Sequence, residues 1–203
     1  MMGSSFCADY HYETQNKQWI SNLAVNEICD NDCCLFLWVT SPLLEEQGID
    51  VLKSWGFKYV TIAFCWSKYT KNNKLVSNPG RWTMSNIELC LLGTKGHPNY
   101  WRQDFTIKQL VQAERTEHSR KPDEVRKRIV ELLGDRSRIE LFAREKTPGW
   151  DVWGNEVESD ISIEVITPEE AYRRSKESVK RDNFEICNNA EKLKSSDFVD
   201  LMI

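Results

Sequence analysis

Arg-Ile-Glu-Leu-Phe-Ala-Arg-Glu-Lys-Thr-Pro-Gly-Trp-Asp-Val-Trp-Gly-Asn-Glu runs from Arg138 to Glu156, and its reading decides the fold. Ile139 to Ala143 is a short apolar strand that ends in a charge at Arg144. Pro148-Gly149 turns the chain, Trp150 and Trp153 bracket Asp151, and Gly154-Asn155-Glu156 closes the stretch. A strand whose end opens onto Arg, Asn and Glu is where open α/β sheets hold polar small molecules.

Upstream, the elements alternate. Cys34 to Val39 is a continuous apolar run, read as a strand buried on both faces. Thr40-Ser41-Pro42 starts a helix, with Ser41 as N-cap; it runs through Leu43, Leu44, Val51, Leu52 and Trp55, and Gly56 stops it. Tyr59 to Trp66 is a second strand, rich in β-branched and aromatic residues. Residues 67–86 read as a long polar loop, and long loops in compact domains are usually functional. Ile87 to Leu92 is a third strand, closed by Gly93 and Gly96. Residues 97–117 carry no clear period. Val125, Ile129, Leu132 and Leu133 have helical spacing, with Arg126, Lys127 and Arg128 between them, and Gly134 ends that helix. The order predicts an α/β domain with a Rossmann-like, mostly parallel sheet over residues 1–158. Residues 159–203 read as a C-terminal appendage, partly helical from Thr167-Pro168-Glu169, that docks on the domain or frays.

Composition narrows the classes. The chain has 203 residues, 40% of them hydrophobic, enough for one domain with a real core. Its seven Cys are scattered and form no Cys-x-x-Cys pair. They read as small hydrophobes of a reducing cytoplasm, and no metal site is expected. No apolar run approaches membrane-spanning length, so no membrane role is expected. The net charge of −4 argues against chain-wide polyanion binding. It is unevenly spread, however: residues 102–144 carry 11 basic and 8 acidic groups, a local excess of +3. Glycine-rich nucleotide loops, a nucleophile elbow and a His-Glu-x-x-His helix are all absent from the sequence.

Five ordered segments then converge. They are Asp32 to Pro42; Trp55-Gly-Phe-Lys58 with Phe64-Cys-Trp-Ser-Lys68; Glu88-Leu-Cys-Leu-Leu-Gly-Thr-Lys-Gly96; His118-Ser-Arg-Lys-Pro-Asp-Glu124; and Ile139 to Glu156. Together they resemble the MT-A70 family of adenine-N6 methyltransferases over roughly residues 8–157. The resemblance implies a Rossmann-like fold, S-adenosylmethionine as cofactor and nucleic acid as substrate. It assigns Lys121 to the cofactor's carboxylate, and Asn155 and Glu156 to its ribose. Glu140, Phe142 and Arg144 on the last strand are further cofactor candidates, and Phe142 is read as core as well. Trp66 and Lys68 would face the target adenine, with the Trp66 ring as a stacking platform, and Tyr12 would gate the base. The short Asn-rich loop at 70–80 and the compact length favour DNA, with RNA as the alternative. A homodimer or a catalytic partner subunit is a further expectation.

One motif of the family is missing. Its catalytic Asp-Pro-Pro-Trp turn has no counterpart, because none of the six prolines is adjacent to another. The sequence is expected to begin downstream of that strand and turn. In the family the quartet's carboxylate and a backbone carbonyl accept hydrogen bonds from the adenine amine and orient it. Asp9 is the candidate substitute, although it lacks the prolines that fix the turn. The competing expectation is a non-catalytic paralogue or truncated subunit. Such a protein would bind nucleic acid through residues such as Arg102, Arg115, Arg120, Arg126 and Lys127.

Overall fold

The computed structural model describes residues 15–116, 120–167, 169–170, 173 and 199–202. Among these the strands are β1 (Cys29–Val39), β2 (Lys58–Tyr69), β3 (Ile87–Lys95), β4 (Leu110–Glu114), β5 (Arg138–Leu141), β6 (Asp151–Trp153) and β7 (Val199–Met202). The α-helices are α1 (Lys17–Ser21), α2 (Asp50–Ser54) and α3 (Asp123–Leu133). The strands form one sheet in the order β4-β2-β3-β1-β7-β5-β6.

The sheet is mixed, which corrects the expectation of a mostly parallel one. β3 runs against both β1 and β2, and these two ladders are the longest in the sheet. The remaining pairings, β2–β4, β1–β7, β7–β5 and β5–β6, are parallel. The reason is local. The chain leaving β2 turns back through residues 70–86 and inserts β3 between β1 and β2, where a helical crossover would have kept it parallel. All strands except β3 still end on one edge, so the carboxyl-edge logic of α/β sheets survives.

Each face of the sheet buries a separate core. On one face Leu35, Val39, Leu89, Leu91 and Ile139 pack with Val51, Leu52 and Trp55. On the other, Phe36, Phe64, Trp66, Cys90 and Val111 pack under Val125, Ile129 and Leu133 of α3. The continuous apolar runs of β1 and β3 follow from this two-sided burial.

The helix expected from Ser41 to Trp55 is broken into three pieces. A 3-10 turn at Ser41–Leu43 leads to a π-helical stretch at Leu44–Ile49, and only Asp50–Ser54 is α-helical. The Ser41 side chain caps nothing; Thr40 holds the N-cap position without a side-chain bond. Gly93, expected to close β3, instead lies inside it. A Cβ there would come within 2.7 Å of Leu52 Cδ1 and 2.9 Å of Leu52 Cγ, so this glycine lets α2 approach the sheet. Leu52 is fully buried and cannot swing away. Gly93→Ala is therefore expected to destabilise the fold by about 1–3 kcal/mol, read as a lower urea midpoint with an unchanged m-value.

Residues beyond β6 return to the body of the protein. Asp160 accepts from the Val152 amide at 2.9 Å, and Leu23 bridges Val165. Ile161 and Ile163 pack on the α2-side core. Thr167 Oγ1 accepts from the Glu170 amide, the capping bond expected there. Most of the helix anticipated from Thr167 onward lies outside the described residues.

Candidate functional site

The carboxyl edge of the sheet gathers charge on the α3 face. Trp38 ends β1, Trp66 and Lys68 end β2, and Glu88 opens β3 beside them. Lys121 precedes the first turn of α3. Glu88 is buried and receives two lysines: Lys68 Nζ at 2.7 Å on one carboxylate oxygen and Lys121 Nζ at 2.5 Å on the other. Burial disfavours its charge, but Lys121 and Lys68 outweigh burial and hold the carboxyl below its usual range. Lys68 sits 4.8 Å from the Trp66 ring centroid, and Lys121 sits 5.5 Å from that of Trp38. The two indoles meet edge to face at 6.3 Å.

A second cluster lies along the same edge. Arg126 of α3 is buried and grips Glu140 of β5 with two bonds of 2.9 Å, while a third reaches Asp123. Burial works against the Arg126 charge, yet Glu140 and Asp123 overcome it and raise its pKa. Arg144 Nε donates to Glu156 at 3.0 Å. Arg120 pairs with Glu145 at 2.8 Å. That pair ties the segment carrying Lys121 to the segment carrying Arg144, so the predicted cofactor residues belong to neighbouring stretches of backbone. Gly154 holds the turn that follows: a Cβ on it would lie 2.2 Å from the Ala143 carbonyl oxygen. Ala143 N–H donates to the Trp153 carbonyl at 3.0 Å, and Ser159 Oγ accepts from Gly154 N–H. The contact fixes Asn155 and Glu156 beside the end of β5, with Asn155 exposed.

Two expectations are corrected. Trp66 is only 2% exposed, and its indole N–H donates to the Ala113 carbonyl at 3.1 Å. Alternation along β2 places it with Phe64 on the α3 face, so it is a packed wall beneath Lys68 and offers no open stacking platform. Phe142 is 45% exposed, not core, and adopts φ 59°. Its ring stands edge-on to Trp153 at 5.3 Å. A left-handed phenylalanine is strained, and such strain concentrates at functional positions. Asp9 and Tyr12 lie outside the described residues.

Sequence reasoning missed Glu88, Trp38 and the burial of Arg126. A lone acid opening the apolar run Glu88-Leu-Cys-Leu-Leu92 was the available signal for the first. Arg126 precedes Ile129 by three positions, on the flank of the apolar stripe, which was the signal for the last. Arg120 and Arg126, expected as nucleic-acid contacts, are instead engaged by carboxylates.

The donor set suits S-adenosylmethionine. Trp38 Nε1 is buried with no hydrogen-bond partner among the described residues, and Lys121 lies over the same ring. An orphan donor beside a cation matches a ligand that brings acceptor oxygens. Asn155 and Glu156 carry an amide and a carboxylate, groups able to hydrogen-bond hydroxyls.

Comparison with known proteins points the same way. The sequence profile described as MT-A70 matches residues 4–156. The chain is 39% identical over 160 residues to the Type II methyltransferase M.MunI from Mycoplasma sp, a match covering 79% of this chain and 65% of that protein. It is 32% identical over 162 residues to the N(6)-adenosine-methyltransferase MT-A70-like protein of Drosophila melanogaster, covering 78% of this chain and 26% of that one. It is 32% identical over 146 residues to the N(6)-adenosine-methyltransferase catalytic subunit METTL3 of Homo sapiens, covering 70% and 24%. The chain thus spans under two thirds of the first relative's length and about a quarter of the other two.

Proposed function

The chain belongs to the MT-A70 family, and from that premise we propose that it is an S-adenosylmethionine-dependent methyltransferase domain acting on the N6 amine of adenine in nucleic acid. DNA is the favoured target, after the Type II methyltransferase, and RNA is the alternative, after the adenosine methyltransferases. The observation that carries the reading is the carboxyl-edge cluster, in which Lys121, held by Glu88, lies over the Trp38 ring, whose indole N–H has no hydrogen-bond partner among the described residues.

MT-A70 methyltransferases use S-adenosylmethionine, whose sulfonium supplies an electrophilic methyl when bound. In this reading Lys121 receives the amino-acid carboxylate and exchanges part of its Glu88 contact for it. Asn155 and Glu156 orient the ribose, with Arg144 steering Glu156. Glu140 is held by Arg126 and shapes the wall of the site, with Phe142 at its rim. Lys68 faces the flipped adenine above the buried Trp66, and Tyr12 takes the gating role that the family resemblance implies. Asp9 is the candidate acceptor for the amine protons. Its role would be to orient a nitrogen whose lone pair is delocalised into the ring.

Calorimetry with S-adenosylhomocysteine tests the cofactor half. Lys121→Ala is expected to weaken binding on the order of ten-fold, the size of a charge-assisted bond, and Asn155→Ala to weaken it further than a surface control such as Lys53→Ala. Equal affinities in all of these would refute the assignment. Transfer of a tritiated methyl group to adenine-containing DNA and RNA tests the chemistry and separates the two targets. The alternative reading is a nucleic-acid-binding paralogue without catalysis. It predicts binding of nucleic acid with no label transferred.

A further inference from the structure

Two groups of cations near the candidate site differ in their partners. Along the carboxyl edge the cations Lys68, Arg120, Lys121, Arg126 and Arg144 are each held by a carboxylate. The segment joining β2 to β3 is different. Between Tyr69 and Ile87 it carries Lys71, Lys74 and Arg81 and no acidic residue, in a chain of net charge −4. None of the three forms an ion pair among the described residues, and all three are exposed.

This segment, expected to be a loop, is built as a hairpin. Asn78 and Ser85 exchange both backbone bonds, at 2.9 and 2.7 Å, and Tyr69 bridges Leu75. The tip between Asn78 and Ser85 presents Trp82 at 97% exposure and Met84 at 56%. The base of the hairpin is pinned to the site itself. Lys68 N–H donates to the Asn86 carbonyl at 3.2 Å, and the Lys68 carbonyl accepts from Val76 N–H at 2.8 Å. Beside the base, a depression of about 360 Å³ runs from Lys71 and Asn73 to Gln112 and Glu114 of β4. A fully exposed tryptophan is costly in water and carries a flat apolar face. Set among unpaired cations, its complement is an anion with flat apolar faces, and a nucleic acid has both.

We propose that the 70–86 hairpin is the nucleic-acid docking element of this protein, with Lys71, Lys74 and Arg81 on the phosphodiester backbone and Trp82 against a base. The proposal rests on the methyltransferase reading and deepens it, because the hairpin places the polynucleotide at Lys68. Phosphate contacts set affinity and register, and Trp82 either stacks on an unpaired base or wedges between paired ones.

The test uses the full chain and fluorescence anisotropy with labelled oligonucleotides in two arms, an adenine-containing DNA duplex and a single-stranded RNA. The arm bound more tightly identifies the polynucleotide. Trp82→Ala is expected to weaken binding on the order of ten-fold, with Trp82→Phe recovering most of the loss. The Lys71→Ala, Lys74→Ala, Arg81→Ala triple variant is expected to flatten the dependence of log affinity on log salt by about 2–3. All these sites are exposed, so melting temperatures should match the parent, and S-adenosylhomocysteine affinity should be unchanged. Parental affinity and salt slope in both variants, with cofactor binding intact, would overturn the docking assignment while leaving the methyltransferase reading in place. Loss of self-association in Trp82→Ala by sedimentation, with nucleic-acid affinity untouched, would also overturn it and mark the tip as a protein contact. Absence of cofactor binding in the parent would count against the methyltransferase reading alone.

Discussion

Arg126→Ala is expected to lower the stability of the protein by about 3 kcal/mol, the scale for breaking a buried ion pair by removing one partner. Arg126 and Glu140 have side chains only 11% and 17% exposed, and they share two bonds of 2.9 Å. The arginine therefore joins α3 to β5 across the face of the sheet. Its removal leaves the Glu140 carboxylate, only 17% exposed, without its arginine partner. The effect should appear as a fall in the urea midpoint. Replacing both partners, as in Arg126→Met with Glu140→Leu, should recover most of the loss, because the apolar pair leaves no charge unpaired. If the double variant is no more stable than Arg126→Ala, the loss does not come from an unpaired Glu140 charge.

Glu88→Gln is the second large effect, and it carries a pH signature. A neutral amide in place of the carboxylate would leave Lys68 and Lys121 close together with no compensating charge. Both lysines are a fifth to a quarter exposed and keep some water, so the expected cost is about 2–3 kcal/mol at neutral pH, below the fully buried limit. The sign follows from the direction of the shift. The Glu88 carboxyl lies below its ordinary value in the folded protein. Its contribution is fully present above the unfolded pKa, about 4.3, and is lost as pH falls through the lower folded value. The stability gap between parent and Glu88→Gln should therefore be flat from pH 8 to about 5 and close under more acidic conditions. A gap that stays constant down to about pH 3 would mean that Glu88 acts by shape. Cofactor affinity should fall as well, because Lys121 loses the partner that positions it.

The elements legible from sequence were those whose burial is two-sided or periodic. β1, β2 and β3 announce themselves as apolar runs, and α3 as a stripe at 125, 129, 132 and 133. Three others were illegible for identifiable reasons. β4 buries only Val111 fully and sits at an edge, so Leu110-Val-Gln-Ala-Glu114 carries almost no alternation. The π-helical widening at Leu44–Ile49 leaves no mark in a hydrophobic pattern. β6 is three residues long and is specified by its register with β5, Ile139 opposite Asp151. The site divides in the same way. Lys121, Arg144, Asn155 and Glu156 could be picked out as residue types in a recognisable order. Their partners could not, because Lys121 and Glu88 are 33 positions apart and meet only once β3 has been inserted against β1. The Trp66 platform failed for a related reason: a strand-end tryptophan reads the same whether its face is open or covered, and α3 covers this one.

The position of β7 bears on how the chain assembles. Val199 is paired with Cys29, and Met202 with both Leu35 and Ile139, so the seam between the β1–β4 block and the β5–β6 block is knitted by residues remote from β1 along the polypeptide. Pairings of such sequence separation are entropically expensive to nucleate and form slowly. The hairpin formed by β2 and β3 is local and should become structured early, with β1 zipping onto β3. The centre of the sheet, the last region one would choose to leave open, is then the last to acquire its protection against amide exchange.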